Sequence, residues 1–146
     1  MVNIHYPNHQ FKTKEEAGKT YLFDEIRKKW LLLTPEEWVR QHFVVAILQQ
    51  YQYPAAYIAL EKMIKLGELT KRFDLLVYNA QHQPWMLVEC KAPQVALTEE
   101  VLKQILTYHI VVPVNYLVIV NGNTCFCWKK ENGQLIQQSV LPEWNG

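Results

Sequence analysis

The sequence predicts a mixed α/β fold (α+β, with a mixed sheet) in the order helix, three-stranded meander, helix, strand and terminal β hairpin. Three observations predict this order. Residues 34–37 have the composition of a helix start, two β-rich runs at 73–78 and 85–90 flank a polar loop, and residues 114–120 are apolar except for Asn115. We expect the sheet to be buried against the two helices.

The composition indicates one globular domain with a core of its own. The 146 residues are 49% hydrophobic and carry a formal net charge of +1. No apolar run is long enough to cross a bilayer and the first residues lack the layout of a signal peptide, so we expect a cytoplasmic protein with no membrane partner. The spacing of Cys90, Cys125 and Cys127 argues against a disulfide framework or a zinc site, and these residues are expected to be reduced packing thiols.

The first helix is predicted from its N-terminal signals. Before it, residues 1–33 indicate one or two extended segments. Thr34 as N-cap, a proline at the first helical position and Glu37 three residues after the cap form a capping box. Glu37 has two alternative roles: its carboxylate reaches back to the backbone of Thr34, which the spacing favours, or it points at the following hairpin as a metal ligand. The predicted packing face of this helix comprises Val39, Phe43, Ala46, Ile47 and Gln50.

A hairpin places two carboxylates side by side. With a four-residue loop at 80–83, Tyr78 lies opposite Trp85, and the same pairing frame sets Asp74 opposite Glu89 on one face of the sheet. Like charges directly opposite each other are destabilising, so this pair requires compensation.

Along the second strand of the hairpin, successive side chains point to opposite faces of the sheet. Lys91 shares the face of Glu89, whereas Val88 and Cys90 point into apolar packing. Mg²⁺ prefers oxygen ligands and is commonly held by one or two carboxylates, so it is the natural compensating ion. The alternative is an ordinary surface ion pair between Lys91 and Glu89, with Asp74 only ending its strand.

The remaining elements follow from alternation and capping signals. Residues 55–70 suit either a helix or a strand, and a strand at about 57–65 before the hairpin is favoured. On that strand Glu61 either joins the acidic cluster or faces solvent, and solvent is the preferred alternative. Thr98 opens a second helix that runs to about residue 111, with Gln104 and Tyr108 sharing one of its faces. A terminal hairpin follows the apolar strand. The predicted packing face of the second helix comprises Val101, Leu102, Ile105, Leu106 and Ile110.

With these elements in view, the chain resembles the PD-(D/E)XK nuclease superfamily, in which an aspartate and a Glu-x-Lys signature lie on a hairpin between two helices. A larger set of residues resembles the N-terminal nuclease domain of type I restriction enzyme R subunits, particularly the small stand-alone form. The resemblance implies a restriction-endonuclease-like core at about residues 34–121. It is carried by residues 26–29, 33–41, 71–74 and 89–93, by Gln104 with Tyr108, and by Asn121 with Gly122.

The resemblance implies a Mg²⁺-dependent endonuclease, with Mn²⁺ as a substitute, that hydrolyses DNA phosphodiester bonds. The implied catalytic residues are Asp74, Glu89, Lys91 and Gln104. The implied metal ligands are Asp74, Glu89, the backbone carbonyl of Cys90, and Glu37. The implied DNA contacts are Lys71, Arg72, Arg40 and Tyr108.

Two departures from the family pattern limit what the resemblance implies. Phe73 stands where the superfamily has proline, a change that puts little in doubt. No Gly-x-x-x-x-Gly-Lys phosphate loop is present, so we expect no translocating motor and not a complete restriction subunit. The alternative function is a catalytically silent nuclease-fold module for DNA binding or assembly. A homodimer or a larger restriction-type complex is a further expectation.

Overall fold

The N-terminal part of the chain forms a small antiparallel sheet. The computed structural model describes residues 1–144. Strands β1 (Thr13–Glu16), β2 (Lys19–Asp24) and β3 (Lys29–Leu32) pair in the order β1-β2-β3. The sequence indicated one or two extended segments in this region, whereas the structure has three strands. The strand that was not predicted is β1. The turn between β1 and β2 has positive φ at both Ala17 and Gly18. Alanine rarely adopts this conformation, so the sequence did not predict a turn at this point.

The rest of the chain follows the predicted order of elements. The sheet order is β4-β5-β6-β7-β8-β9, and only β6 and β7 pair in parallel within the described chain, because α2 carries the connection between them. The predicted helix, meander, helix, strand and hairpin are therefore confirmed. The elements are α1 (Pro35–Gln49), a 3-10 turn (Ala55–Tyr57), β4 (Ile58–Leu66), β5 (Leu69–Tyr78), β6 (Pro84–Cys90), α2 (Glu99–His109), β7 (Tyr116–Val120), β8 (Cys125–Glu131) and β9 (Gln134–Gln138).

The two helices cover opposite faces of the six-stranded sheet. Alternate residues of the central strands belong to different apolar clusters, as expected when both faces are buried. The α1 side includes Val39, Phe43, Val44, Ile47, Leu75, Val77, Val88, Cys90, Val118 and Val120. The α2 side includes Leu102, Ile105, Leu76, Leu87, Leu117, Ile119 and Trp128.

The packing faces of both helices differ from prediction at their ends. Gln50 is exposed, because α1 ends at Gln49 and the chain turns away. Ile110 is exposed, because α2 ends at His109, and the position facing the sheet in its last turn is occupied by His109.

The hairpin of β5 and β6 has the predicted register over its central pairs. Leu75 faces Val88 and Val77 faces Met86. Nearer the loop the prediction was wrong, because Tyr78 pairs with Pro84 rather than Trp85. Asn79 explains the difference: its side-chain oxygen accepts hydrogen bonds from the backbone N–H groups of residues 81 and 83, which closes a longer loop.

The N-cap of α1 is confirmed, and it provides a test of the helix start. The Thr34 hydroxyl accepts the backbone N–H of Glu37 at 3.0 Å. Thr34→Ala is expected to lower the free energy of unfolding by about 1 kcal/mol, because that N–H then loses its partner. Urea denaturation measures the change, and Thr34→Ser serves as the control that retains the hydroxyl. Equal losses for the two variants would contradict the capping role.

Two further features concern the whole chain. Within residues 1–144, no helix has the length and apolar character required to span a membrane. Cys90, Cys125 and Cys127 are buried free thiols, as predicted. Burial raises the pKa of the Cys90 thiol well above its ordinary value, so it packs as a neutral group.

Candidate active site

Two carboxyl groups meet at the end of the β5–β6 hairpin. The ladder of β5 and β6 ends at the pair Leu75 and Val88, and Asp74 and Glu89 are the next residues along the two strands. The two carboxyl groups are near enough for each to shift the pKa of the other. Asp74 Oδ2 also accepts the backbone N–H of Cys90 at 2.8 Å, which fixes the aspartate against β6.

The carboxyl pair is under electrostatic strain. Burial and the adjacent Glu89 raise the pKa of Asp74 to about 7. Burial alone would also raise the pKa of Glu89, but His109, Asp74 and Lys91 beside it lower that pKa below its ordinary value. The raised pKa belongs to the coupled pair, because each carboxyl group titrates in the electrostatic field of the other.

Lys91 and His109 face the same oxygen of Glu89. Lys91 Nζ lies 3.7 Å and His109 Nε2 lies 3.8 Å from Glu89 Oε1. His109 is 2% exposed, and neither ring nitrogen has a hydrogen-bond partner among the described residues. The sequence reasoning did not find His109, although its spacing of four from Ile105 would have placed it on the buried face of α2.

A cleft of about 250 Å³ opens on the α2 side of Glu89. Gln104 and Tyr108, which the sequence placed on one face of the helix, both line this cleft with Glu89 and Lys91. Tyr108 is exposed there. The cleft thus contains four of the predicted site residues.

Arg40 lies inside a group of carboxylates rather than on the surface. It is 6% exposed, and its guanidinium bridges α1 to β5. Nη1 donates to Glu37 Oε1 at 2.6 Å, and Nη2 donates to Asp74 Oδ1 at 3.1 Å. A phosphate contact by Arg40 remains a prediction, and it would require the guanidinium to leave one of these partners.

The Glu37 carboxylate does not complete the capping box. Its oxygens accept from Arg40 at 2.6 Å and from Gln41 Nε2 at 3.0 Å, rather than from the backbone of Thr34. The capping alternative for this carboxylate was therefore wrong, because buried donors on the same helix face are closer partners. Metal ligation by Glu37 remains a prediction.

Glu61 combines the two predicted alternatives, because the residue is exposed and its carboxylate also joins the carboxylate group. Its Oε1 accepts from Arg40 Nη1 at 2.9 Å and from Arg27 Nη1 at 3.1 Å, although the side chain is still partly exposed. Its backbone φ is +49°, and the ladder between β4 and β5 is interrupted at this position, which stands opposite Asp74.

Asp24, at the end of β2, anchors the N-terminal sheet to this group. Its oxygens accept from Arg27 Nε at 2.6 Å, from Gln41 Nε2 at 3.1 Å, and from the backbone N–H groups of Ile26 and Arg27. The sequence reasoning did not identify Asp24. The Asp24 and Arg27 pair was not foreseen because its role depends on where β2 packs against α1.

The two basic residues at the start of β5 occupy different environments. Arg72 is exposed and lines a cleft of about 420 Å³ with Glu37, Arg40 and Asp74. Lys71 is buried, and its ammonium donates to the backbone carbonyl of Tyr108 and lies 3.6 Å from the centre of the Tyr108 ring. This placement favours a structural role for Lys71, so its phosphate contact remains only a prediction.

The donor set fits a hard divalent cation in its chemistry. Asp74 and Glu89 supply adjacent carboxylate oxygens, and the nearby charge of Glu89 helps to raise the pKa of Asp74. Mg²⁺ commonly uses one or two carboxylates together with water. However, across residues 1–144 no three His, Cys, Asp or Glu side chains converge to form a metal cage. Any cation would therefore be held mainly by these two carboxylates, with Cys90 carbonyl and Glu37 ligation as predictions.

Comparison with known proteins identifies one family. Residues 35–142 match the sequence model of the type I restriction enzyme R protein N terminus. A search of curated proteins found no significant match. The matched range contains both carboxylates, Lys91 and both helices, whereas Asp24 and Arg27 lie before it.

Proposed function

Because the chain belongs to the family of type I restriction enzyme R protein N termini, we propose that it is a metal-dependent endonuclease domain that hydrolyses DNA phosphodiester bonds. One observation carries this proposal: Asp74 and Glu89 form a strained carboxyl pair with Lys91 beside it. That combination supplies cation-binding oxygens and an ammonium at the same point. The resemblance to PD-(D/E)XK nucleases agrees with this assignment.

Each residue of the site has a distinct chemical role in the proposed reaction. Mg²⁺, when bound, would polarise the scissile phosphate and lower the pKa of a bound water. Asp74 and Glu89 would hold the cation, and the Lys91 ammonium would orient the attacking water and offset negative charge. Gln104 positions the substrate from the α2 side of the site.

DNA contacts are proposed at the two clefts beside the carboxyl pair. Arg72 is exposed in the larger cleft and is suited to hold a backbone phosphate. Tyr108 is exposed in the smaller cleft and is suited to contact the sugar or base. With a formal net charge of +1 for the whole chain, these local contacts provide positioning without strong general attraction to DNA.

The test is a cleavage assay with the purified protein. Supercoiled plasmid and a single-stranded oligonucleotide are incubated with Mg²⁺, Mn²⁺ or EDTA. We expect nicking or shortening of DNA only when a divalent cation is present. Absence of cleavage at every cation concentration, or cleavage that persists in EDTA, would contradict the proposal.

A second candidate function is a nuclease-fold module that binds DNA or assembles a complex without catalysis. The ion pair between Arg40 and Asp74 favours it, because an arginine already compensates one of the predicted ligands. A cation that binds only the folded state raises its stability by about 2.7 kcal/mol at 100 times Kd. A melting temperature unchanged by Mn²⁺, with DNA binding retained, would support the module over the nuclease.

We also propose that the domain acts as a dimer or within a larger restriction-type complex. The family match to one terminus of a restriction subunit supports this proposal. Light scattering coupled to gel filtration, with and without DNA, measures the mass. A monomeric mass in both conditions would leave the catalytic proposal intact and contradict the dimer.

A further inference from the structure

Arg40 holds four carboxylates at once. Besides Glu37 and Asp74, its guanidinium donates to Glu61 Oε1 at 2.9 Å and to Glu36 Oε1 at 3.3 Å. These partners lie on α1, β4 and β5, so the Arg40 guanidinium links three elements of the fold. Because Asp74 Oδ2 already accepts the N–H of Cys90, Arg40 occupies the remaining oxygen of that aspartate.

Arg40, its four carboxylate partners and the charged residues beside them together carry a surplus of negative charge. This group contains six carboxylates and four basic side chains, which leaves a formal charge of −2 when these ten groups are ionised and His109 beside Glu89 is counted as neutral. One divalent cation would neutralise this surplus. The carboxylates are Asp24, Glu36, Glu37, Glu61, Asp74 and Glu89, and the basic residues are Arg27, Arg40, Arg72 and Lys91.

We infer that Arg40 sets the cation affinity of this site, because its guanidinium and a divalent cation compete for Asp74 Oδ1. On cation binding, Nη2 yields that oxygen, while Nη1 keeps Glu37 and Glu61. The inference rests on the proposed metal-dependent function. It identifies Arg40 as a residue that determines the affinity of the site for its divalent cation. Arg40 is a positioning residue in this scheme.

Arg27 provides a matched control. It belongs to the same group and pairs with Asp24 at 2.6 Å and with Glu61 at 3.1 Å, but it makes no salt bridge to Asp74. Arg27→Gln and Arg40→Gln each remove one positive charge from the group. A general loss of positive charge would strengthen cation binding in both variants, whereas competition for Asp74 Oδ1 affects only the second.

Calorimetric titration with Mn²⁺ and with Mg²⁺ in the absence of DNA tests the inference. Arg40→Gln is expected to bind Mn²⁺ about tenfold or more tightly than the unmodified protein, a typical size for coupling between two ligands. Arg27→Gln is expected to change the affinity by less than about threefold. Equal affinities for all three proteins, an equal gain in both variants, or weaker binding by Arg40→Gln would each overturn the inference.

A second measurement uses the unmodified protein, in case Arg40→Gln fails to fold. With ¹⁵N-labelled arginine side chains, saturating Mg²⁺ is expected to shift the guanidinium resonance of Arg40 and not that of Arg27. Cation binding that leaves the Arg40 resonance unmoved would overturn this inference and leave the nuclease proposal standing. Absence of cation binding in every protein would overturn both.

Discussion

Asp74→Asn is expected to reduce metal-dependent DNA cleavage by about 10²–10³-fold, the usual effect of removing one group that supports charge in a transition state. Asparagine keeps the shape of the side chain and can still accept the backbone N–H of Cys90, which Asp74 accepts at 2.8 Å. It removes the charge that would hold the cation. The rate of plasmid nicking at saturating Mg²⁺ measures the loss.

Stability measurements separate this loss from unfolding. Burial and Glu89 raise the pKa of Asp74 to about 7, so its ionised form is disfavoured in the folded protein. A neutral asparagine is therefore expected to cost little stability at pH 8 without divalent cations. Glu131→Gln, which removes an exposed carboxylate on β8, is the matched control and should retain full cleavage. Cleavage by Asp74→Asn within about threefold of the unmodified rate would contradict the assignment.

Asp24→Ala is expected to lower the free energy of unfolding by about 3 kcal/mol or more, because it leaves the Arg27 guanidinium without its closest partner. Asp24 is 1% exposed and accepts hydrogen bonds from two side chains and two backbone N–H groups. Urea denaturation at pH 7 measures the loss. Glu25→Ala removes an adjacent exposed carboxylate and should have little effect.

The effect of Asp24 should also depend on pH. Burial by itself would raise the pKa of Asp24, but hydrogen bonds and the positive charge from Arg27 lower it below the ordinary value. A lowered pKa in the folded state gives stability that is present above the unfolded pKa of about 3.9 and is lost as the pH falls through the folded pKa. The difference between Asp24→Asn and the unmodified protein should therefore be constant near neutral pH and shrink below about pH 4. A difference that grows on acidification would contradict this role.

The arrangement links the N-terminal sheet to the candidate site. Asp24 and Arg27 lie outside the matched range of 35–142, yet Asp24 contacts Gln41 of α1 and Arg27 contacts Glu61 of the carboxylate group. These contacts join the N-terminal sheet to β4 and to α1, which carries both Glu37 and Arg40.

Local patterns in the sequence were enough to predict the elements and the central register of the hairpin. Alternation in β5 and β6 leaves one pairing frame that buries both strands, and that frame sets Asp74 beside Glu89. The N-cap at Thr34 and the shared face of Gln104 and Tyr108 also follow from short-range geometry. These features depend on residues close in sequence or on the two-residue period of a strand.

Only the tertiary structure decided which charged groups compensate the carboxyl pair. Arg40 and Asp74 are 34 positions apart, Arg40 and Glu61 are 21 positions apart, and no sequence pattern predicted the positive φ at Glu61. His109 and Lys71 are both buried, because α2 packs on the sheet at these positions. The sequence by itself determined the fold order and the carboxyl pair, whereas ion pairing in the interior depended on the close approach of distant elements, because charge interactions there are set by distance and burial.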